Sequence, residues 1–248
     1  MKRLYDKRIL TLLCLNAALY ALIVIFDSKK AFLYISPALG LTCDILKYSA
    51  IVSCLLICVF AYSRTRARAP LFQSIVFCFT LGADIFLLFT PYFAAGVFVF
   101  LGAHLFALLR YRPRWAIPAG IAAAAVFALA LLLAPRVLRA NTELSLIIAV
   151  CGAYAVLIIS VTISTFHSPQ PRLNTLFSRL GMCLFLACDV NVAVFNALPY
   201  GLPAHTASII LMWLFYLPAQ TLLALSACHW GGHELRHKTP RSKFQPHG

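Results

Sequence analysis

Charge is what this 248-residue sequence has least of: 11% of its residues are charged, and only seven are acidic. Globular chains carry roughly 25% charged residues, so this one has less than half of what an aqueous surface needs. The shortage excludes a soluble Rossmann or barrel enzyme. Intrinsic disorder is excluded too, because it requires few apolar residues and high charge. Nine cysteines are present but no Cys-x-x-Cys pair, which removes the usual spacing of metal and redox sites. Cys54, Cys58, Cys78, Cys183 and Cys188 lie within apolar stretches, where a small polarizable side chain packs well, so a disulfide-stapled secreted scaffold is not expected. What the chain has in plenty is apolar surface: 62% of residues are hydrophobic and the mean hydropathy is +0.88. The solvent it is built for is the bilayer.

Apolar runs long enough to cross a membrane, about 17 to 25 residues, recur near 9–26, 44–62, 71–90, 92–110, 115–134, 144–164, 174–196 and 206–228. The breaks hold Lys29 and Lys30, the Arg64 to Pro70 cluster, Pro91, Arg110 to Arg114, Pro135 to Arg139, Pro169 to Arg172, and Pro199 to Pro203, all boundary chemistry. The runs do not alternate as barrel strands would. The predicted fold is therefore an all-α polytopic membrane protein, a bundle of about eight transmembrane helices. Residues 1–228 are read as one transmembrane domain and 229–248 as a basic, histidine-rich tail.

The formal charge of +14 comes from 21 Lys and Arg in short clusters between apolar runs. A nucleic-acid interface would gather them into one stripe, so no nucleic-acid partner is expected. With the N-terminus cytoplasmic, sixteen of these residues fall on that side, and five, Lys29, Lys30, Lys47, Arg136 and Arg139, on the other. An even number of spans and the positive-inside rule then agree in placing both basic termini in the cytoplasm. The first apolar run is longer than a signal-peptide core and is read as a span. The expected location is a multi-pass position in a bacterial cell membrane.

Of the acids, Asp6, Asp27, Glu143 and Glu234 are expected at span ends or in tails, within reach of water, and Asp44 near a boundary. Asp84 and Asp189 lie inside spans, where an aspartate costs at least about 2.5 to 3.5 kcal/mol on insertion scales and usually faces a polar interior. Asp84 is thirteen residues past Leu71 and Asp189 fifteen past Asn174, which puts both about 20 Å in. Each occupies the third helix of its four-helix half, consistent with a parallel repeat of about 105 residues. His104, Gln220, Tyr216, Asn191 and Asn196 could join them. Lys47 begins span two at the same membrane face, either pairing with an aspartate or a lipid phosphate or snorkelling to the headgroups.

Four patches of this sequence resemble the YhhN-like lysoplasmalogenase family of eight-span membrane proteins. Phe79 to Leu87, around Gly82-Ala83-Asp84, is similar to the family's Ser-x-x-Gly-Asp-x-x-Leu element, and Gly96, Phe100 and His104 resemble the helix that follows. Gly181 to Asp189 is similar to Gly-x-x-Leu-Phe-x-x-Ser-Asp, and Tyr216-Leu217-Pro218-Ala219-Gln220 to Tyr-x-x-Ala-Gln. Lys47 falls where the family carries a Lys-Pro pair. Ala83, Cys188, Tyr48 and Ala107 depart from the family's glycine, serine, proline and tyrosine. The resemblance implies hydrolysis of the vinyl ether bond of a lysoplasmalogen to a fatty aldehyde and a glycerophospho-base. Asp84 and Asp189 would divide the roles of acid and stabilising base between them, in an order the sequence does not fix, with Lys47, His104, Tyr216, Gln220 and Asn191 around the lipid substrate. No metal or cofactor is required by that chemistry.

Rival readings are a proton- or cation-coupled transporter, an intramembrane aspartyl protease, and a non-catalytic lipid-binding relative. The helices around the acids lack the Gly-Pro breaks of many transporters, and the Gly-x-Gly-Asp and Pro-Ala-Leu elements of the protease are absent. His233-Glu234-Leu235-Arg236-His237 matches a zinc-binding pattern, yet it follows Gly231-Gly232 in a short basic tail with no folded domain to supply a third ligand. It reads as a solvated tail.

Overall fold

A computed structural model of the chain describes residues 7–32 and 36–229. Among these are eight α-helices and no strand: α1 (Lys7–Phe32), α2 (Pro37–Thr65), α3 (Arg68–Phe89), α4 (Phe93–Tyr111), α5 (Pro113–Val137), α6 (Thr142–Phe166), α7 (Arg172–Ala197) and α8 (Pro203–Leu225). All eight are long and apolar enough to span a bilayer, and the chain is a multi-pass membrane protein. The tail from residue 230, including its His-Glu-x-x-His pattern, and Asp6 lie outside the described residues.

The helix ends follow local chemistry. Ser36 caps α2 by accepting from the Leu39 amide, and Pro37 sits in the first turn, where a missing N–H costs nothing. Asn141 caps α6 in the same way through Leu144, at 2.8 Å. Two expected breaks are instead helical: Lys29 and Lys30 lie in the last turns of α1, and Pro135 lies inside α5. The hydrogen-bond ladder outlasts the apolar run because backbone groups near lipid have no better partner than their own helix. A proline this close to a helix end removes a single bond.

Helices α2, α3, α4, α6, α7 and α8 pack in that order as a closed ring, with α1 lying against α2 and α8, and α5 against α6 and α4. Advancing every helix by four positions maps this neighbour pattern onto itself, apart from the contact between α3 and α8. The arrangement is that of two parallel four-helix repeats. The outer helices α1 and α5 expose Leu15, Leu22, Ile25, Ile117, Ile121 and Leu129, as lipid-facing surfaces should. Close approach within each half depends on glycine. A Cβ on Gly96 would stand 2.7 Å from the Leu87 side chain and 3.2 Å from the Ala83 carbonyl, and one on Gly181 would stand 2.9 Å from Leu223 and 3.2 Å from the Ala219 carbonyl. These two residues draw α4 onto α3 and α7 onto α8. One end of the bundle carries Arg64, Arg66, Arg68, Arg110, Arg112, Arg114 and Arg172 and is called the basic end below.

Candidate active site

The repeat brings its two intramembrane acids into the ring from α3 and α7. Asp84 is buried, and the Tyr216 hydroxyl from α8 donates toward both its carboxyl oxygens at 3.1 Å. Asp189 is partly exposed and accepts from the Tyr154 hydroxyl of α6 through Oδ2 at 2.7 Å. Each carboxyl thus meets the hydroxyl of a buried or half-buried tyrosine, a donor that can satisfy it inside the bundle.

A chain of ring contacts runs between the two pairs. Tyr216 meets Phe185 at 5.6 Å, Phe185 meets His104 at 5.5 Å, and His104 meets Tyr154 at 4.9 Å between ring centroids. The two carboxyls are the ends of one continuous path through α8, α7, α4 and α6. His104 is buried, and its Nδ1 lies 2.9 Å from the Phe100 carbonyl oxygen. A carbonyl only accepts, so Nδ1 carries the proton and Nε2 is the ring nitrogen left over. A small cavity borders His104 and Phe185 and extends past Ala103, Ala107 and Val76 to Gln73 and Tyr111.

Proline shapes the α8 side of the site. Pro218 has no N–H to give to the Leu214 carbonyl, and Tyr20 of α1 donates to that carbonyl at 3.1 Å. The outer helix therefore repairs the bond that the proline breaks two residues beyond Tyr216.

Lys47 stands apart from the two acids. Its ammonium donates to Asp27 Oδ1 at 2.8 Å and lies 3.7 Å from Asp44 and 4.5 Å above the Trp213 ring. Asp27, expected within reach of water, is 1% exposed: α1 runs on past it, and Lys47 of α2 covers it. Snorkelling is also ruled out, because Lys47 is 4% exposed. Its link to the site is indirect, Trp213 lying edge-on to Tyr216 at 5.1 Å. Gln220 is buried one turn from Tyr216, with Nε2 unpartnered. Asn191 and Asn196 each donate to a carbonyl of their own helix, Ala187 and Val192 at 2.8 Å, and neither bonds to a carboxyl.

Sequence reasoning missed Tyr154, Phe185 as the bridge, Trp213 and the Asp27 partnership. The one available signal for Tyr154 was a hydroxyl within the otherwise apolar stretch 146–159 of α6. Among the described residues no three His, Cys, Asp or Glu side chains come together as a metal site, and the cysteines are free.

Neither a curated protein nor a solved structure matches the chain. The sequence profile of the YhhN family matches residues 45–227, a stretch that begins two residues before Lys47 and takes in α3 to α8 with both acids, both tyrosines and His104. This chain belongs to the YhhN family.

Proposed function

We propose that this protein is a membrane hydrolase that cleaves the vinyl ether bond of a lysoplasmalogen, releasing a fatty aldehyde and a glycerophospho-base. The observation that carries the reading is the pair of intramembrane carboxyls, each on its own tyrosine, at the two ends of one ring-lined path. Vinyl ether hydrolysis needs a proton donor and a stabiliser of positive charge, and this arrangement supplies one candidate for each.

The two carboxyls are not equivalent. Both oxygens of Asp84 face the one hydroxyl of Tyr216, which suits a standing carboxylate. Asp189 is held through Oδ2 alone, so Oδ1 can address the substrate. In this reading Asp189 gives its proton to the alkenyl carbon distal to the ether oxygen, and the electron pair of the double bond takes it up. Positive charge spreads over the other alkenyl carbon and the ether oxygen, facing Asp84. Water adds to that carbon and its released proton returns to Asp189. The hemiacetal then collapses: its hydroxyl loses its proton as its C–O bond to the glycerol breaks, the glycerol oxygen gains a proton in exchange, and the aldehyde leaves. Tyr154, Tyr216 and His104 position these groups.

The test is aldehyde release from a lysoplasmalogen by purified protein, with the saturated ether analogue as control. Asp84→Asn and Asp189→Asn should each fold, since the amide is isosteric and cheaper to bury, and each should lose about 10² to 10⁴ in turnover. Activity should survive chelators, whereas a zinc site in the tail predicts its loss. Transport of an ion or solute by protein that leaves the vinyl ether intact would establish the transporter reading instead. Full activity in either well-folded Asn variant would sink the mechanism.

A further inference from the structure

Arg110, at the basic end of α4, is a partly buried cation with no carboxylate partner among the described residues. Its Nη1 donates to Gln73 Oε1 of α3 and, at 3.0 Å, to the Tyr111 hydroxyl, and its Nη2 donates to Ser226 Oγ beyond α8 at 2.9 Å. All three acceptors are neutral. The five described acids are accounted for elsewhere: Asp27 and Asp44 beside Lys47, Asp84 with Tyr216, Asp189 with Tyr154, and Glu143 in the first turn of α6 at the opposite end. Asp84 is eleven residues along α3 from Gln73, about 16 Å, too far to neutralise the guanidinium.

Two donors at this spot are buried and unused, Arg110 Nε and Gln73 Nε2. They belong to the two side chains that the Arg110–Gln73 hydrogen bond joins. Gln73 is 1% exposed and, with Tyr111, borders the cavity that leads to His104. The guanidinium lies 4.7 Å from the centre of the Tyr111 ring but has no counter-anion among the described residues, and beside an unpartnered amide donor it is complementary to a tetrahedral oxyanion, which takes several charge-assisted hydrogen bonds at once. We infer that Arg110 and Gln73 form a phosphate-binding site at the basic end of the bundle, separate from the carboxyl pair. The ligand is the phosphate of an anionic phospholipid headgroup, or free phosphate of the same chemistry. The inference does not rest on the vinyl ether reading.

The experiment uses the full chain in dodecylmaltoside, with three probes: phosphatidylglycerol, inorganic phosphate and diacylglycerol. Apparent affinity is read from the rise in unfolding temperature as each probe is titrated. Phosphatidylglycerol should stabilise the protein and diacylglycerol should not; an equal effect of inorganic phosphate identifies the free ion as sufficient, and its lack of effect identifies the headgroup. Arg110→Gln should weaken binding by about ten- to a hundredfold, the loss expected for a hydrogen-bonded charge. Because that variant loses the bonds that tie α4 to Gln73 and to Ser226, Gln73→Glu is the second test: it keeps an acceptor for Arg110, neutralises the guanidinium with an internal carboxylate, and should abolish binding in a folded protein. Arg114→Gln removes the same charge from an exposed position and should bind as the unmutated chain does. The inference fails if phosphatidylglycerol binds Gln73→Glu undiminished, if Arg114→Gln loses as much as Arg110→Gln, or if Glu234→Gln reproduces the loss, which would make the guanidinium a partner of the tail.

Discussion

Replacing Lys47 with methionine should be among the most damaging single changes in the bundle, and replacing its partner as well should undo most of the damage. Lys47 and Asp27 are 4% and 1% exposed and meet at 2.8 Å. Removing the ammonium leaves Asp27 with only the weak thiol donor of Cys43, at 3.7 Å, and with Oδ2 already unpartnered. Breaking such a pair from one side costs about 3 to 5 kcal/mol, because the remaining charge stays buried. Asp27→Asn should cost about half as much, since Lys47 keeps Asp44 at 3.7 Å and the Trp213 ring at 4.5 Å. The double variant, with neither buried charge, should lie within about 1 to 2 kcal/mol of the unmutated protein, giving a coupling of about 2 kcal/mol or more. Unfolding in detergent followed by circular dichroism measures this, at roughly 2 to 4 °C per kcal/mol for a chain of this size. Additive losses, or a Lys47→Met variant no worse than Asp27→Asn, would refute the reasoning and return Lys47 to the lipid substrate as a free cation.

Three further outcomes are expected. Gly181→Ala should destabilise the bundle by about 1 to 3 kcal/mol, because the added carbon meets the Ala219 carbonyl at 3.2 Å and a helix backbone cannot rotate away; an unchanged unfolding midpoint would contradict the packing. Tyr216→Phe should both destabilise the fold, by about 1 to 3 kcal/mol for a carboxyl left without its donor, and reduce aldehyde release, while Asp84→Asn in the same background should recover stability without activity. Reporter fusions after Arg68 and Lys243 should read cytoplasmic, and one after Lys30 should read on the opposite side; an outer-face signal from Lys243 would overturn the orientation.

The eight spans were legible because lipid enforces a simple rule: a segment that crosses must be long, apolar and internally bonded. Asp84 and Asp189 stood out for the same reason reversed, since an acid within such a segment is costly and turns to a polar partner inside the bundle. Their partners were not. Tyrosine carries an apolar body with a polar tip and crosses a membrane at little cost, so Tyr154 gave no alarm in α6. Asp27 misled because its distance from the end of the apolar run was taken as its distance from water. The helix continues to Phe32, and the side chain that shields Asp27 comes from the next helix. Which residues face each other across two helices depends on their relative rotation and height, and neither is written in one segment alone.

The internal repeat explains why there are two acids, and its one exception bears on why they can differ. A shift of 105 residues carries Asp84 onto Asp189, yet it carries Tyr216 back onto Tyr111 and Tyr154 onto Ser49, so the tyrosines are not equivalent by the repeat. Asp84 takes its hydroxyl from α8 and Asp189 from α6. The contact between α3 and α8 is the pairing without a counterpart in the other half, and it holds the Asp84–Tyr216 bond. Two identical carboxyls in identical surroundings would compete for the same proton. Surroundings that give one carboxyl a shared donor at both oxygens and leave the other an open oxygen separate the two roles, and acid–base chemistry requires that separation. The departure from symmetry lies at the candidate site, where the proposed division of acid and stabiliser calls for it.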